Sequence, residues 1–276
     1  MNYVKHILLL LFFLFSMSSA LANNSTNCES EITSHKMKDK LYNVNMTGVG
    51  IVTAWGVVQW DYFSQSPHAK PEGWFGNNTD DGGADKLGHL YTTYVMSHGL
   101  SHLYEGWCFN KHDAALYGAL SSFTILGYME LGDSFSDFGF SYEDLVMNAL
   151  GSVAGYYLYE NPDLARKIDI RWEYGFQPND ADFTTDYENS KYLLAIKLNG
   201  FDSMRQGFLK YIELHVGYYT RGFDDLSTSK ERNVYLGIGI NLTDLFRRRG
   251  HTKTATFLNY MQLPGTYLAI EKDRNK

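Results

Sequence analysis

Apolar positions recur at helical spacing between residues 46 and 160, and beyond residue 165 they recur at every second position. Four segments carry the helical pattern: Met46–Trp60, Ala84–Trp107, the charge-free Ala114–Met129, and Tyr142–Glu160. The last opens at Ser141, a natural N-cap, with Asp144 three residues on in the capping-box position. Ser64–Gly83 holds Pro67, Pro71, Gly73, Gly76, Gly82 and Gly83 and reads as a connector. The two-residue period predicts strands at Lys191–Asn199, Leu209–Tyr219, Arg232–Leu242 and Thr266–Lys272. The chain therefore reads as α+β, a small four-helix bundle followed by a short antiparallel β-sheet region. Its expected divisions are residues 1–22, 23–165 and 166–276.

In the third predicted strand, Val234, Leu236, Ile238, Ile240 and Leu242 share one face, and Tyr235, Gly237, Gly239 and Asn241 the other. Such a strand suits a sheet packed on helices. It equally suits a strand facing lipid with its small residues turned inward. Four or five strands are too few to close a transmembrane barrel, which favours the soluble or peripheral reading.

The polar residues of the helices carry the candidate chemistry. At about 100° per residue, Asp144, Asn148, Gly151 and Gly155 fall within about 60° of one another on a helix otherwise apolar nearly all round. That stripe cannot be a solvated face, and its glycines allow close approach of another backbone. Asp85 and His89 lie one turn apart on a stripe that continues through Met96, Leu100, Leu103 and Trp107. Glu130 shares a face with Ala119, Phe123 and Leu126 and is followed by Asp133. The inward polar set is Asp85, Lys86, His89, Glu130, Asp133, Asp144 and Asn148. It holds more carboxylate than one Lys and one His neutralise, so a divalent metal ion or a shared proton is expected. The competing expectation is that these groups cap helix ends and lock the bundle. On the opposite side of the second helix, His98, His102 and Glu105 stand at i, i+4 and i+7. They are spaced to clip a metal such as zinc, or to form a solvated polar face.

Compartment and charge narrow the picture. Lys5 and His6, the apolar run Ile7–Phe15 and Ala20-Leu21-Ala22 make a secretory signal peptide over residues 1–22. Cys28 follows Thr26-Asn27, which is not the small and apolar context of a lipidation site. In an oxidising compartment Cys28 and Cys108 form one disulfide or remain two independent thiols. With 24 Lys+Arg against 31 Asp+Glu, the charge of −7 excludes a nucleic-acid grip. A mean hydropathy of −0.31 argues against an ordinary polytopic membrane protein. The run Arg247–Arg249 either meets anionic lipid headgroups or forms a solvated turn. There is no Gly-x-Ser-x-Gly elbow, no His-Glu-x-x-His and no glycine-rich phosphate loop.

Three motifs in order carry a resemblance: Asp85-Lys-Leu-Gly-His89, Glu130-x-x-Asp133, and Phe140-Ser-x-x-Asp144-x-x-x-Asn148-x-x-Gly151. Over about Gly83–Tyr159 the chain resembles the YfiM-like family of predicted bacterial periplasmic proteins. More distantly it is similar to VanZ-like proteins, which carry such motifs on membrane helices. The resemblance implies a bacterial envelope protein with a small helical bundle and brings no established activity. The leading functional expectation is an exported, periplasmic protein, associated with the outer membrane, whose buried cluster binds an ion or a phosphorylated headgroup. Its partner would be a membrane surface or an envelope component. Two alternatives stand beside it: a hydrolase acting on lipid or cell-wall material, and a non-enzymatic envelope scaffold.

Overall fold

The computed structural model of the chain describes residues 34–175, 185–223 and 229–275; the expected signal peptide and Cys28 lie outside them. The fold is α+β, with the main helices preceding the sheet. Helices α1 (Ser34–Gln59), α2 (Ala84–Gly106), α3 (Lys111–Asp133) and α4 (Tyr142–Glu160) are followed by one turn, α5 (Pro162–Ala165). Strands β1 (Ile168–Tyr174), β2 (Ser190–Lys197), β3 (Ile212–Arg221) and β4 (Glu231–Ile240) come next. Two short helices, α6 (Leu242–Arg248) and α7 (Thr252–Leu258), precede β5 (Met261–Gln262) and β6 (Tyr267–Asp273). The chain divides into two compact units. The helical unit takes the chain up to Glu72 together with Thr92–Glu160, and the sheet unit takes Gly73–Tyr91 and Asn161–Lys276.

In the helical unit, Leu100, Leu103, Tyr104, Phe109, Ile125 and Leu126 form the buried core. Helix α1 begins twelve residues earlier than the expected Met46, because Met37, Leu41 and Val44 recur at i, i+4 and i+7 and pack on that core. Helix α3 begins at Lys111 because the side chain of Asn110 accepts a bond from the Asp113 amide at 2.9 Å. Two glycines set the spacing around α2. A Cβ at Gly118 would lie 2.2 Å from Ser101 Oγ, and one at Gly155 would lie 2.5 Å from Ser97 Oγ. Both serines are fully buried, so α2 is enclosed on two sides where the sequence allowed a solvated face. No helix among the described residues is long and apolar enough to cross a membrane.

In the sheet unit the strand order is β5-β1-β2-β3-β4-β6. All neighbours are antiparallel, as expected, except β1 and β5, whose two-residue pairing is parallel. Strand β1 was not expected. Its alternate positions Asp169, Arg171 and Glu173 are charged, yet all three are buried. The register explains this inversion. Ile170, Leu194, Val216, Leu236 and Ile270 form one cross-strand row on the outer face, and Ile168, Ile196, Leu214, Ile238 and Leu268 form the next. The inner face carries the charges.

The sheet is rolled. Gln262 on β5 and Tyr267 on β6 are joined by at most about 18 Å of chain, whereas in a flat sheet of this order they would lie about 24 Å apart. Thr266 ties the connection to both edges, its hydroxyl accepting from Gln262 Nε2 at 2.7 Å and its carbonyl from the Ile240 amide. Inside the roll, Arg171 donates to Glu213 through two nitrogens (2.7 and 3.0 Å), to Asp169 at 2.8 Å and to Gln262 at 3.0 Å. Lys197 donates to Asp169 at 2.6 Å, and His215 Nε2 meets Glu213 at 2.9 Å. Burial opposes the Arg171 charge, but Asp169 and Glu213 outweigh it and hold the guanidinium charged. Glycines 217 and 239 leave room for Tyr235 and His215 on this face, where a Cβ would come within 2.2 and 2.8 Å of their rings. The Gly and Tyr face of β4 is thus the inner one.

Candidate functional site

The polar residues of the helical unit converge where α3, α4 and the segment before α2 meet. Ser141 Oγ accepts from the Asp144 amide at 3.3 Å, so the N-cap of α4 fixes the turn that presents Asp144. One turn on, Asn148 is fully buried. Thr93 donates its hydroxyl proton to Asn148 Oδ1 at 2.8 Å. That bond orients the amide so that Nδ2 donates to Glu130 Oε1 at 3.2 Å and to the Leu126 carbonyl at 3.4 Å. Glu130 and Asp144 are 1% and 3% exposed, and their carboxylate oxygens approach within 4.8 Å of one another.

A third carboxylate arrives from a loop. Lys70 N donates to the Phe140 carbonyl at 3.0 Å, and Phe140 N to the His68 carbonyl at 2.9 Å, forming a bridge between residues 68–70 and the turn before α4. The next residues carry Glu72 to within 4.8 Å of Asp144. Asp133 completes the set. Tyr62 is wedged beside Gly56 and Gly132, positions where a Cβ would come within 2.3 Å of its ring. Its hydroxyl lies 3.1 Å from the Met129 carbonyl and bonds the Asp133 carboxyl. Burial first, and the Asp144 charge after it, push the Asp133 carboxyl up to about 7 against the pull of Tyr62. The Tyr62 hydroxyl is raised well above its ordinary value, by burial and by Asp133.

Carboxylates this close repel. At about 4 Å and an effective dielectric constant near 20, two full charges cost about 4 kcal/mol. Such a set either shares protons, as the Asp133 carboxyl indicates, or takes a cation. Hard divalent cations prefer oxygen donors of this kind.

The remaining predicted polar residues are carried by α2. In the sheet unit, Lys86 is 1% exposed and its Nζ lies 2.6 Å from Asp85 Oδ2 at the start of α2. His89 follows one turn on and is half-buried. In the helical unit, buried His98 places Nε2 3.0 Å from the Gly155 carbonyl, and burial pushes its pKa down to about 4. The Tyr159 hydroxyl stands between His102 Nδ1, at 3.1 Å, and the Glu105 carboxylate. Cys108 takes part in a disulfide; its expected partner Cys28 lies outside the described residues.

Glu72, Tyr62 and Thr93 escaped the sequence reading. Thr93 lies four residues beyond His89, on the same helical stripe, and that spacing is a usable signal. Tyr62, just past the first predicted helix, and Glu72, in the connector, lie where no period runs, and only the fold brings them in.

Residues 71–160 match a family model described as predicted periplasmic lipoprotein (DUF2279). No curated protein and no solved structure matched the chain. The matched third of the chain spans all three motifs and is similar to an exported, periplasmic family of unknown function; it carries neither the YfiM-like nor the VanZ-like name.

Proposed function

We propose that the chain is an exported envelope protein whose helical unit binds a divalent cation through buried carboxylates. The observation that carries this reading is the approach of Asp144 oxygens to those of both Glu130 and Glu72, each within 4.8 Å. Asn148 steadies Glu130, and the N-cap of α4 steadies Asp144, so the donors are pre-positioned on rigid elements. On the strength of the sequence motif alone, Asp85, Lys86 and His89 of the sheet unit are the groups for a phosphorylated headgroup, with Lys86 and His89 meeting the phosphate. The periplasmic family match supports the compartment and an association with a membrane surface.

Metal analysis of the purified protein tests the reading. Wild type is expected to retain a divalent ion, and Asp144→Ala and His89→Ala to lose metal or phosphorylated ligand without unfolding. If both variants merely unfold and no metal is found, the cluster is structural. One observation favours a second reading, a hydrolase. A carboxyl titrating at about 7 beside a tyrosine hydroxyl is suited to general acid–base work. Absence of turnover on phospholipid and peptidoglycan fragments would remove that reading.

A further inference from the structure

The rolled sheet is polar inside and aliphatic outside, the reverse of a water-soluble sheet. Arg171, Glu213 and His215 are at most 2% exposed, whereas Leu236, Ile238, Ile240, Leu268 and Ile270 are 52–85% exposed. The exposed residues are not scattered. They belong to continuous cross-strand rows of Ile, Leu and Val that contain no charged or polar side chain. A contiguous apolar surface of this kind marks an interaction site.

Two features identify what covers it. The first is charge at the rim. Where β4 ends at Ile240, the Asn241 amide donates to the Tyr211 carbonyl at 2.8 Å, bringing the turn before β3 beside α6. That end of the strands carries exposed Phe208 and Tyr211 together with exposed Arg247, Arg248 and Arg249. At the other end the band stops at the Val234 row, which holds Tyr192, Tyr218 and exposed Lys272, and beyond it Glu231, Arg232 and Asp273 mix both signs of charge. An apolar band with an aromatic and cationic collar on one side matches hydrocarbon capped by anionic headgroups. The second is height. From Leu236 to Ile240 the band is about 14 Å tall along the strand, close to one leaflet of a hydrocarbon core about 30 Å thick.

We propose that the outer face of this sheet inserts into one leaflet of an anionic lipid bilayer, with the Arg247–Arg249 end at the headgroups. This inference does not depend on the cation site, since every residue it uses belongs to the sheet unit.

The test uses the full chain and vesicles of phosphatidylcholine with or without phosphatidylglycerol. A tryptophan placed by Ile238→Trp should be quenched by brominated acyl chains beyond the wild-type background. Leu236→Asn/Ile238→Asn/Ile270→Asn should weaken vesicle binding by about tenfold or more, because three aliphatic side chains no longer leave water. Arg247→Gln/Arg249→Gln should remove the preference for phosphatidylglycerol. If the triple variant fails to fold by circular dichroism, the quenching of the single tryptophan variant decides alone. A chain that floats with its new tryptophan unquenched is anchored elsewhere, and the proposal falls. It falls equally if the chain ignores vesicles and sediments as a dimer that the triple variant dissociates, since a second copy then covers the face.

Discussion

Replacing Asp133 by Asn should flatten the pH dependence of stability in a defined window. The carboxyl titrates near 3.8 when unperturbed and is pushed up to about 7 in the fold, by burial first and by Asp144 second. Between those values the folded chain holds a proton that the unfolded chain releases. The stability this carboxyl contributes is therefore fully present below about pH 4, is lost as pH rises toward about 7, and is gone above it. Three pKa units correspond to about 4 kcal/mol, and water at a half-buried carboxyl reduces this to about 2–3 kcal/mol. The asparagine keeps an acceptor for the Tyr62 hydroxyl and does not titrate. Urea midpoints measured from about pH 4.5 to 7.5 should show a loss of about 2–3 kcal/mol in wild type that Asp133→Asn lacks. Asp144→Asn should remove part of that loss by deleting the neighbouring charge. Parallel curves for wild type and Asp133→Asn would refute the reasoning.

Gly118→Ala should cost about 2–3 kcal/mol, since its Cβ would meet the Ser101 backbone nitrogen at 2.7 Å and the Ser97 carbonyl at 2.8 Å. Gly99→Ala on α2, with nothing within 4 Å, should stabilise by about 0.5–1 kcal/mol, and thermal unfolding of the pair separates a clash from a general loss. Arg171→Met should cost about 3–5 kcal/mol in urea unfolding, because it leaves Asp169 and Glu213 buried without their guanidinium. A loss under about 1 kcal/mol would mean that water enters the roll.

Much of the helical unit is legible in the sequence because its periodicity is dense. Helices α2, α3 and α4 fall close to their expected bounds, and the inward aim of Glu130, Asp144 and Asn148 follows from the apolar surroundings on their helices. The first three turns of α1 are hidden, since Met37, Leu41 and Val44 are spread among lysines and other polar residues. Strand β1 is hidden for a different reason. Its inward residues are Asp169, Arg171 and Glu173, which a rule that places charges outside reads as loop. Glu72 is beyond any periodic signal, because a backbone bridge between residues 68–70 and Phe140 delivers it to Asp144. The sequence allowed the aliphatic face of β4 to meet either helices or lipid. The rolled sheet and the register of its charges now favour the second.

The central claim, cation binding by the carboxylates around Asp144, is tested most directly by titration calorimetry of the purified chain with calcium, magnesium, manganese and zinc at pH about 7.5, where Asp133 is ionised. Saturable binding of one ion, weakened at least about tenfold in both Asp144→Asn and Glu130→Gln, is the expected result. Heats indistinguishable between wild type and both variants would contradict it.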